Sequence, residues 1–394
     1  TAALLFGLGR AQLATLERQR MQQAVAALER AFDYYAAAGD VAGAVAVAQY
    51  PLVAIPTGRT GVAGFIPRAL KLVPPDSLVA GWLLCNYGVE LGRVDGDYGN
   101  ARAAFTRALA IARREGDPAL EVRTLAAAAN VDVFHLRFLE GLEKARRAIA
   151  LADRLGDHQA AWLAHLDAAR ILTFTGEAAE SQQHAAAALE LAEKLRGRYQ
   201  LALSFRWNAT LLRMQGKWPG VREFSDRGLA VAPQDANLLG DRVLLEYQVG
   251  FGQAEAYLER FVATMPPAAA RPGVEYAAPA AIIPVVARIT GVLDRLDIAE
   301  RAAQTVVSSP FANPIFTMLA RAGLGLLAVL RSDAVAAAEQ YEALQSQTST
   351  MNAAISIDRL LGLLAQILGQ LNQALEHFED ALAFCRKAGC RPEL

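Results

Sequence analysis

Small and apolar residues return along this chain at helical spacing, and the whole pattern returns every 40 residues through its middle. Four segments align without a gap: Gly96-Asp97-Tyr98 to Ala112, Leu136 to Ala152, Gly176-Glu177 to Ala192, and Gly216-Lys217-Trp218 to Ala232. Within the first, Ala101, Phe105 and Ala108 stand four and three residues apart, which puts them on one helical face. Each unit therefore reads as two antiparallel helices, A then B. The small residues let helix B lie close to its own helix A and to the next one, and the larger residue fills the space where the helices diverge.

The small residue late in helix B serves as a ruler. Its marks fall at Ala31, Ala69, Ala108, Ala148, Ala188 and Gly228, continue at Thr264, Val306 and Leu344, and close at Ala381. The spacings run from 36 to 42 and give about ten units. A fixed period of this size means one supersecondary unit stacked many times. The expected fold is all-α: an α-solenoid, a right-handed superhelix of about ten helix-turn-helix repeats with a period of 37–40 residues. Turn residues agree. Gly39-Asp40, Gly116-Asp117-Pro118 and Gly156-Asp157 stop one helix with glycine and cap the next with aspartate.

The pattern predicts a single domain over 1–394, with regular repeats in 1–235, an irregular repeat and a Pro/Ala-rich connector in 236–280, and further repeats in 281–394. Met265 to Pro279 is the expected hinge, and Gly58, Gly61 and Gly64 between Pro51 and Pro67 predict a long loop or a shortened helix. Ala2 to Ala14 already reads as a helix A, and Gly389 to Leu394 corresponds to Gly116 to Leu120, where another helix A begins. The segment is expected to be a fragment of a longer protein, its last helix B carrying an uncovered apolar face.

Leu361-Gly362, Ala374, Phe378 and Ala381 together resemble the tetratricopeptide repeat (TPR), and Ala101, Phe105 and Ala108 match the second half of that pattern. The units depart from it in length, near 40 residues against about 34, and several lack the helix-A glycine. The roughly six extra residues equal about one and a half turns, so longer helices are expected. The long degenerate repeats, with AFDYYAAAGD (Ala31 to Asp40) and ALAFCRKAGCRPEL (Ala381 to Leu394), resemble one bacterial group. It is the repeat region of large ATPase-containing transcriptional regulators with a LuxR-type DNA-binding end, the signal-transduction ATPase family. The resemblance implies a sensor or scaffold module that receives a protein or peptide partner or a small-molecule inducer. The ATPase and DNA-binding domains it would control lie outside this chain. The alternatives are a free-standing TPR adaptor that binds peptide tails and the regulatory repeat region of a nucleotide-cyclase-type protein.

Composition narrows the choice. Apolar residues make up 54% of the chain and aromatics only 7%, the alanine-rich balance of packed helix pairs. Net charge is −1, with 39 basic and 40 acidic side chains, and no basic stripe predicts direct nucleic-acid contact. Cys85, Cys385 and Cys390 are odd in number and form no CxxC pair, which points to a reducing cytoplasm rather than a disulfide framework. No membrane span is expected. The apolar stretch from Val41 to Pro56 carries Gln49 and two prolines, and that from Tyr276 to Ala287 is short and contains Pro279 and Pro284.

Catalytic and cofactor motifs are not expected. PTGRTGVAGF (Pro56 to Phe65) has the glycines of a phosphate loop but neither Lys-Ser/Thr nor a preceding strand. His158 and His165 could share a face, yet no HExxH or Cys/His ligand cluster accompanies them, so no metal site is predicted. Nothing like GxSxG is present. The groove remains. In stacked helix pairs the A helices line the concave side, and Asn86, Glu90, Arg123, Asn130, Arg170, Arg206 and Arg213 fall at inward-tilted A positions. Their arginines would suit a carboxylate- or phosphate-bearing ligand through bidentate hydrogen bonds. The alternative is that these are ordinary solvated or inter-repeat side chains.

Overall fold

The computed structural model describes residues 1–15, 21–50, 62–250, 252–266, 272–352 and 354–393. Among them twenty α-helices follow one another in pairs. The first ten are α1 (Ala2–Thr15), α2 (Met21–Ala37), α3 (Val41–Gln49), α4 (Val62–Leu70), α5 (Leu78–Arg93), α6 (Tyr98–Glu115), α7 (Pro118–Phe134), α8 (Phe138–Leu155), α9 (His158–Phe174) and α10 (Ala178–Leu195). Then come α11 (Arg198–Met214), α12 (Trp218–Val231), α13 (Ala236–Val249), α14 (Ala254–Val262), α15 (Val274–Thr290), α16 (Leu296–Val307), α17 (Pro314–Arg331), α18 (Ala334–Leu344), α19 (Ile357–Ile367) and α20 (Leu371–Ala388). Odd helices are the A members and even ones the B members. The isolated bridge between Met351 and Ser356 is the nearest thing to a strand among the described residues. The fold is all-α and of the helical-repeat, solenoid class.

The ruler residues explain why the pairs close. Ala31, Ala69, Ala108, Ala148, Ala188 and Gly228 lie on α2, α4, α6, α8, α10 and α12, and each is buried. Val306, Leu344 and Ala381 do the same on α16, α18 and α20, and buried Thr264 follows α14 by two residues. The larger partner packs onto a glycine of helix A. A β-carbon at Gly88 would meet the Phe105 ring at 2.6 Å, and one at Gly362 would meet Phe378 at 2.6 Å. Gly88 is thus the helix-A glycine of the third unit, the counterpart of Gly362 in the last.

The turns keep time more strictly than the helices. Positive φ angles fall at Gly96, Gly116, Leu136, Gly156, Gly176, Arg196 and Gly216, one every 20 residues. Left-handed backbone reverses the chain after each helix from α5 to α11, and glycine adopts it without a β-carbon penalty. Asp40, Asp97, Asp117 and Asp157 then cap the following helices, accepting the backbone N–H of Gly43, Asn100, Leu120 and Ala160.

By contacts the chain divides into two compact units. Unit 1 is residues 1–168 with 188–200, and unit 2 is 169–187 with 201–394. In unit 1 the alanine-rich core runs from Phe32 and Phe65, stacked at 5.6 Å, through Phe105 and Ile111 to Ala145, Ala148 and Ala164. The expected loop before α4 falls largely on residues 51–61, which lie outside the described residues, as does most of PTGRTGVAGF.

Unit 2 departs from the sequence expectation in three ways. Helix α15 begins at Val274, so the connector is shorter than Met265 to Pro279, and Pro279 and Pro284 sit inside a helix. A proline there costs about 3 kcal/mol. The two together cost about 6 kcal/mol, which burial of Ile282, Ile283 and Val286, at roughly 1.5–3 kcal/mol each, offsets. Pro284 also leaves the Ala280 carbonyl without its helical donor, and Gly323 of α17 packs against that oxygen, where a β-carbon would overlap it. Second, α17 (Pro314–Arg331), which lies outside the two apolar stretches considered from the sequence, is long and apolar enough to cross a membrane by length and composition alone. Its apolar length serves packing, with Ile315, Phe316, Met318, Leu326 and Leu327 buried against its neighbours.

Third, repeats far apart in sequence touch. The end of α20 packs on the α9–α10 turn: the Phe384 ring covers Gly176, Lys387 pairs with Glu177 at 2.6 Å, and Met351 N–H donates to the Phe174 carbonyl at 3.2 Å. Met214, Met351, Phe384, Cys385, Ala388 and Cys390 form one core there. The last B helix is therefore covered along part of its surface, while Leu371 and Leu375 stay exposed.

Candidate functional site

The polar residues expected to face a groove are spread over both units. Most are held in contacts from one A helix to the next. In unit 1, Asn86 of α5 donates to the Ala48 carbonyl of α3 at 3.1 Å. Arg93 of α5 donates to Asn130 of α7, and Asn130 in turn donates to both oxygens of Asp167 on α9, at 3.0 and 2.9 Å. Arg93, Asn130 and Asp167 are spaced 37 and 37 residues apart. That is one repeat less three residues, so each bond steps back about one turn on the next helix.

This ladder is buried from end to end. Arg93, Asn130 and Asp167 are 5%, 4% and 0% exposed. Asn130 suits its middle rung because an amide both accepts from the guanidinium and donates to the carboxylate. The Arg93 guanidinium also lies over the Phe134 ring, 3.4 Å from its centroid. Glu90, one turn before Arg93, is buried on the same helix. Arg123 of α7 reaches Asp157 at 3.0 Å, the residue that caps α9, and stands 5.8 Å over Trp82. Nearby, Tyr98 donates to Asp132 at 2.9 Å, Lys144 pairs with the same carboxylate, and His135 Nε2 contacts the Gly92 carbonyl at 2.8 Å. Burial pushes Asp132 up despite Lys144, holds His135 below the ordinary imidazole value despite Gly92, and pushes Tyr98 up to about 12.

In unit 2, Arg206 of α11 donates to Asp241 of α13 at 3.2 Å, and Thr210 donates to the same oxygen at 3.2 Å. The guanidinium groups of Arg170 and Arg206 share the Trp207 ring, 5.5 and 5.1 Å from its centroid. Arg213, seven residues beyond Arg206, is buried, and its charge favours the Cys390 thiolate. Arg170 and Arg206 are thus brought together, while Arg206 and Arg213 have separate surroundings. Asn86, Arg123, Asn130 and Arg206 each contact a neighbouring repeat. The signal for Arg93, Asp167 and Asp241, which sequence reasoning passed over, is their spacing of one repeat from a polar A-helix residue.

Two further features of unit 2 lie apart from these groove residues. Cys385 and Cys390, five residues apart, are in side-chain contact, and their hydrogen bond pushes the Cys385 thiol up and the Cys390 thiol down. A cavity of about 320 Å³ opens beside α13, α14 and α15. Leu258, Ile283 and Val286 form its apolar wall. Tyr247 donates to Glu255 at 3.0 Å and Arg295 pairs with the same carboxylate at the polar edge. Burial, then Glu255, push Tyr247 up to about 12.

The geometry defines a class: a TPR-like helical-repeat protein in which polar side chains fasten α3, α5, α7 and α9 in series, and α11 to α13. No protein-family model matches the chain, and no curated protein matches its sequence. Solved structures match its fold. A Rap protein complexed with competence and sporulation factor superposes with a TM-score of 0.51 at 10% identity, covering 98% of each chain. A monomeric mutant of IFIT1 with Gppp-AAAA superposes with a TM-score of 0.50 at 12% identity, covering 97% of this chain and 79% of that one. These likenesses are to the fold alone.

Proposed function

We propose that the chain is a non-catalytic binding module that takes a protein or peptide partner, and that it serves as the sensor and scaffold segment of a cytoplasmic bacterial regulator of the LuxR-type ATPase class. The observation that carries the reading is the polar fastening of successive A helices. Arg93, Asn130 and Asp167 make three A helices one mechanical element, so a partner resting on several of them biases every step at once. The fold shared with the Rap complex supports a binding role. The resemblance of AFDYYAAAGD and ALAFCRKAGCRPEL supports the regulator context.

Two measurements test it. An array of extended peptides probed with the purified chain should show a sequence-defined subset retained, and retention should weaken in Arg123→Ala and Arg206→Ala; peptides held no better than a scrambled set would end the binding-module reading. Sequence flanking this segment in the gene should encode a Walker-type ATPase upstream and a helix-turn-helix downstream. Finding neither would leave a free-standing adaptor.

The cavity favours a second reading, a small-molecule inducer. Its volume of about 320 Å³ falls in the range of ligand pockets, and an apolar wall faces a few converging polar groups. A ligand found by thermal shift should lose its effect in Val286→Trp, which fills the space. An undiminished shift would place the ligand elsewhere.

A further inference from the structure

The last hairpin of unit 2 gathers three side chains that neither the repeat nor the binding reading uses. Asp358 stands in the first turn of α19, and His377 and Asp380 are on α20. One ligand-type atom from each lies within 4.8 Å of the others. His377 and Asp380 are three residues apart and so share a face of α20.

Asp358 is fully buried. Its Oδ2 accepts the Ser349 N–H at 2.8 Å, but its Oδ1 is buried with no hydrogen-bond partner. His377 repeats that asymmetry. Its Nε2 is 2.9 Å from the Tyr341 hydroxyl, while its Nδ1 is buried with no partner. Two unpartnered buried polar atoms in one small cluster are a desolvation cost that native packing normally avoids. Burial raises Asp358 above the usual carboxylate range, and Asp380 adds to the rise against the Ser349 N–H. A cation held by the three would offset the repulsion between the two carboxylates, and Oδ1 and Nδ1 are the ligand atoms still free to take it.

We propose that Asp358, His377 and Asp380 bind a divalent first-row transition metal. One imidazole nitrogen with two carboxylate oxygens suits such an ion better than Mg²⁺ or Ca²⁺, and the affinity order favours Zn²⁺ over Mn²⁺. Coordination through Nδ1 leaves the proton on Nε2, which donates to the Tyr341 oxygen and fixes the ring from α18. Three protein ligands leave at least one coordination position open. The ion would tie the first turn of α19 to the middle of α20.

The test uses the whole chain, freed of metal by chelation and titrated with Co²⁺ as a spectroscopic probe, then with Zn²⁺ in competition. One Co²⁺ per chain should bind with the visible bands of nitrogen and oxygen ligation, and Zn²⁺ should displace it. His377→Gln and Asp380→Asn should each weaken Zn²⁺ by about tenfold or more. Asp380 is exposed, so its variant keeps the fold and the comparison stands even where the buried positions do not tolerate change. Absence of stoichiometric binding, or unchanged affinity in Asp380→Asn, would overturn the proposal. So would a strong thiolate-to-Co²⁺ band, which would assign the metal to Cys385 and Cys390.

Discussion

Single residues set the turns, and two of them depart from glycine. Leu136 and Arg196 hold φ angles of 58° and 53° in a series otherwise made of glycines. A non-glycine residue in the left-handed region costs about 1–2 kcal/mol, partly returned by its smaller unfolded-state entropy. Leu136→Gly and Arg196→Gly should each raise stability by about 0.5–1 kcal/mol in urea unfolding. A fall would mean that those side chains contribute more than their backbone costs. His135 carries a pH effect. Burial depresses its folded value, so the unfolded chain takes up the proton first as pH falls. The stability it contributes is complete above about pH 6.5 and is lost as pH drops from there through the folded value. The urea midpoint should therefore fall between about pH 7.5 and 5.5, and His135→Gln should flatten part of that slope. The Gly-Asp turns were legible because they combine two independent signals. Leu136 was legible only by alignment, and Arg196 not at all, since neither residue type announces a left-handed turn.

At the scale of helices, the period of small residues carried almost everything. Ala108, Ala148 and Ala188 repeat because a larger side chain there would push helix B off its neighbours. What the pattern could not carry was close approach through a proline. Pro279 and Pro284 read as breakers, yet α15 continues through both because its apolar side chains are buried, and Gly323 of α17 packs on the buried Ala280 carbonyl that Pro284 leaves unpaired. Gly323→Ala meets backbone, which cannot rotate away, whereas Gly362→Ala meets the Phe378 ring, which can. Gly323→Ala should cost at least about 3 kcal/mol and Gly362→Ala about 1–3 kcal/mol. Equal, small losses in thermal midpoint would show that α15 and α17 do not pack as closely as described. The candidate groove residues show the same limit. Their helix-A register was readable from spacing. Whether Asn130 faced a partner or Asp167 depended on which side chain the adjacent repeat placed opposite, and that is a tertiary fact.

Across the whole molecule, the number of repeats and the all-α class were written in the sequence, while contacts over large separations were not. Phe384 and Lys387 meet Gly176 and Glu177 across about two hundred residues, and nothing periodic marks that pairing. Phe384→Ala should cost about 3–5 kcal/mol and speed amide exchange at Thr175 to Glu177, although those residues belong to another repeat. Exchange altered only within α20 would remove the long-range contact. Within unit 1, α5, α7 and α9 act together because buried side chains key each one to the next. A double-mutant cycle on Asn130→Ala and Asp167→Ala, read by urea unfolding, tests it most directly. The account predicts a coupling of about 1–3 kcal/mol between the two sites. Losses that add within about 0.3–0.5 kcal/mol would contradict it.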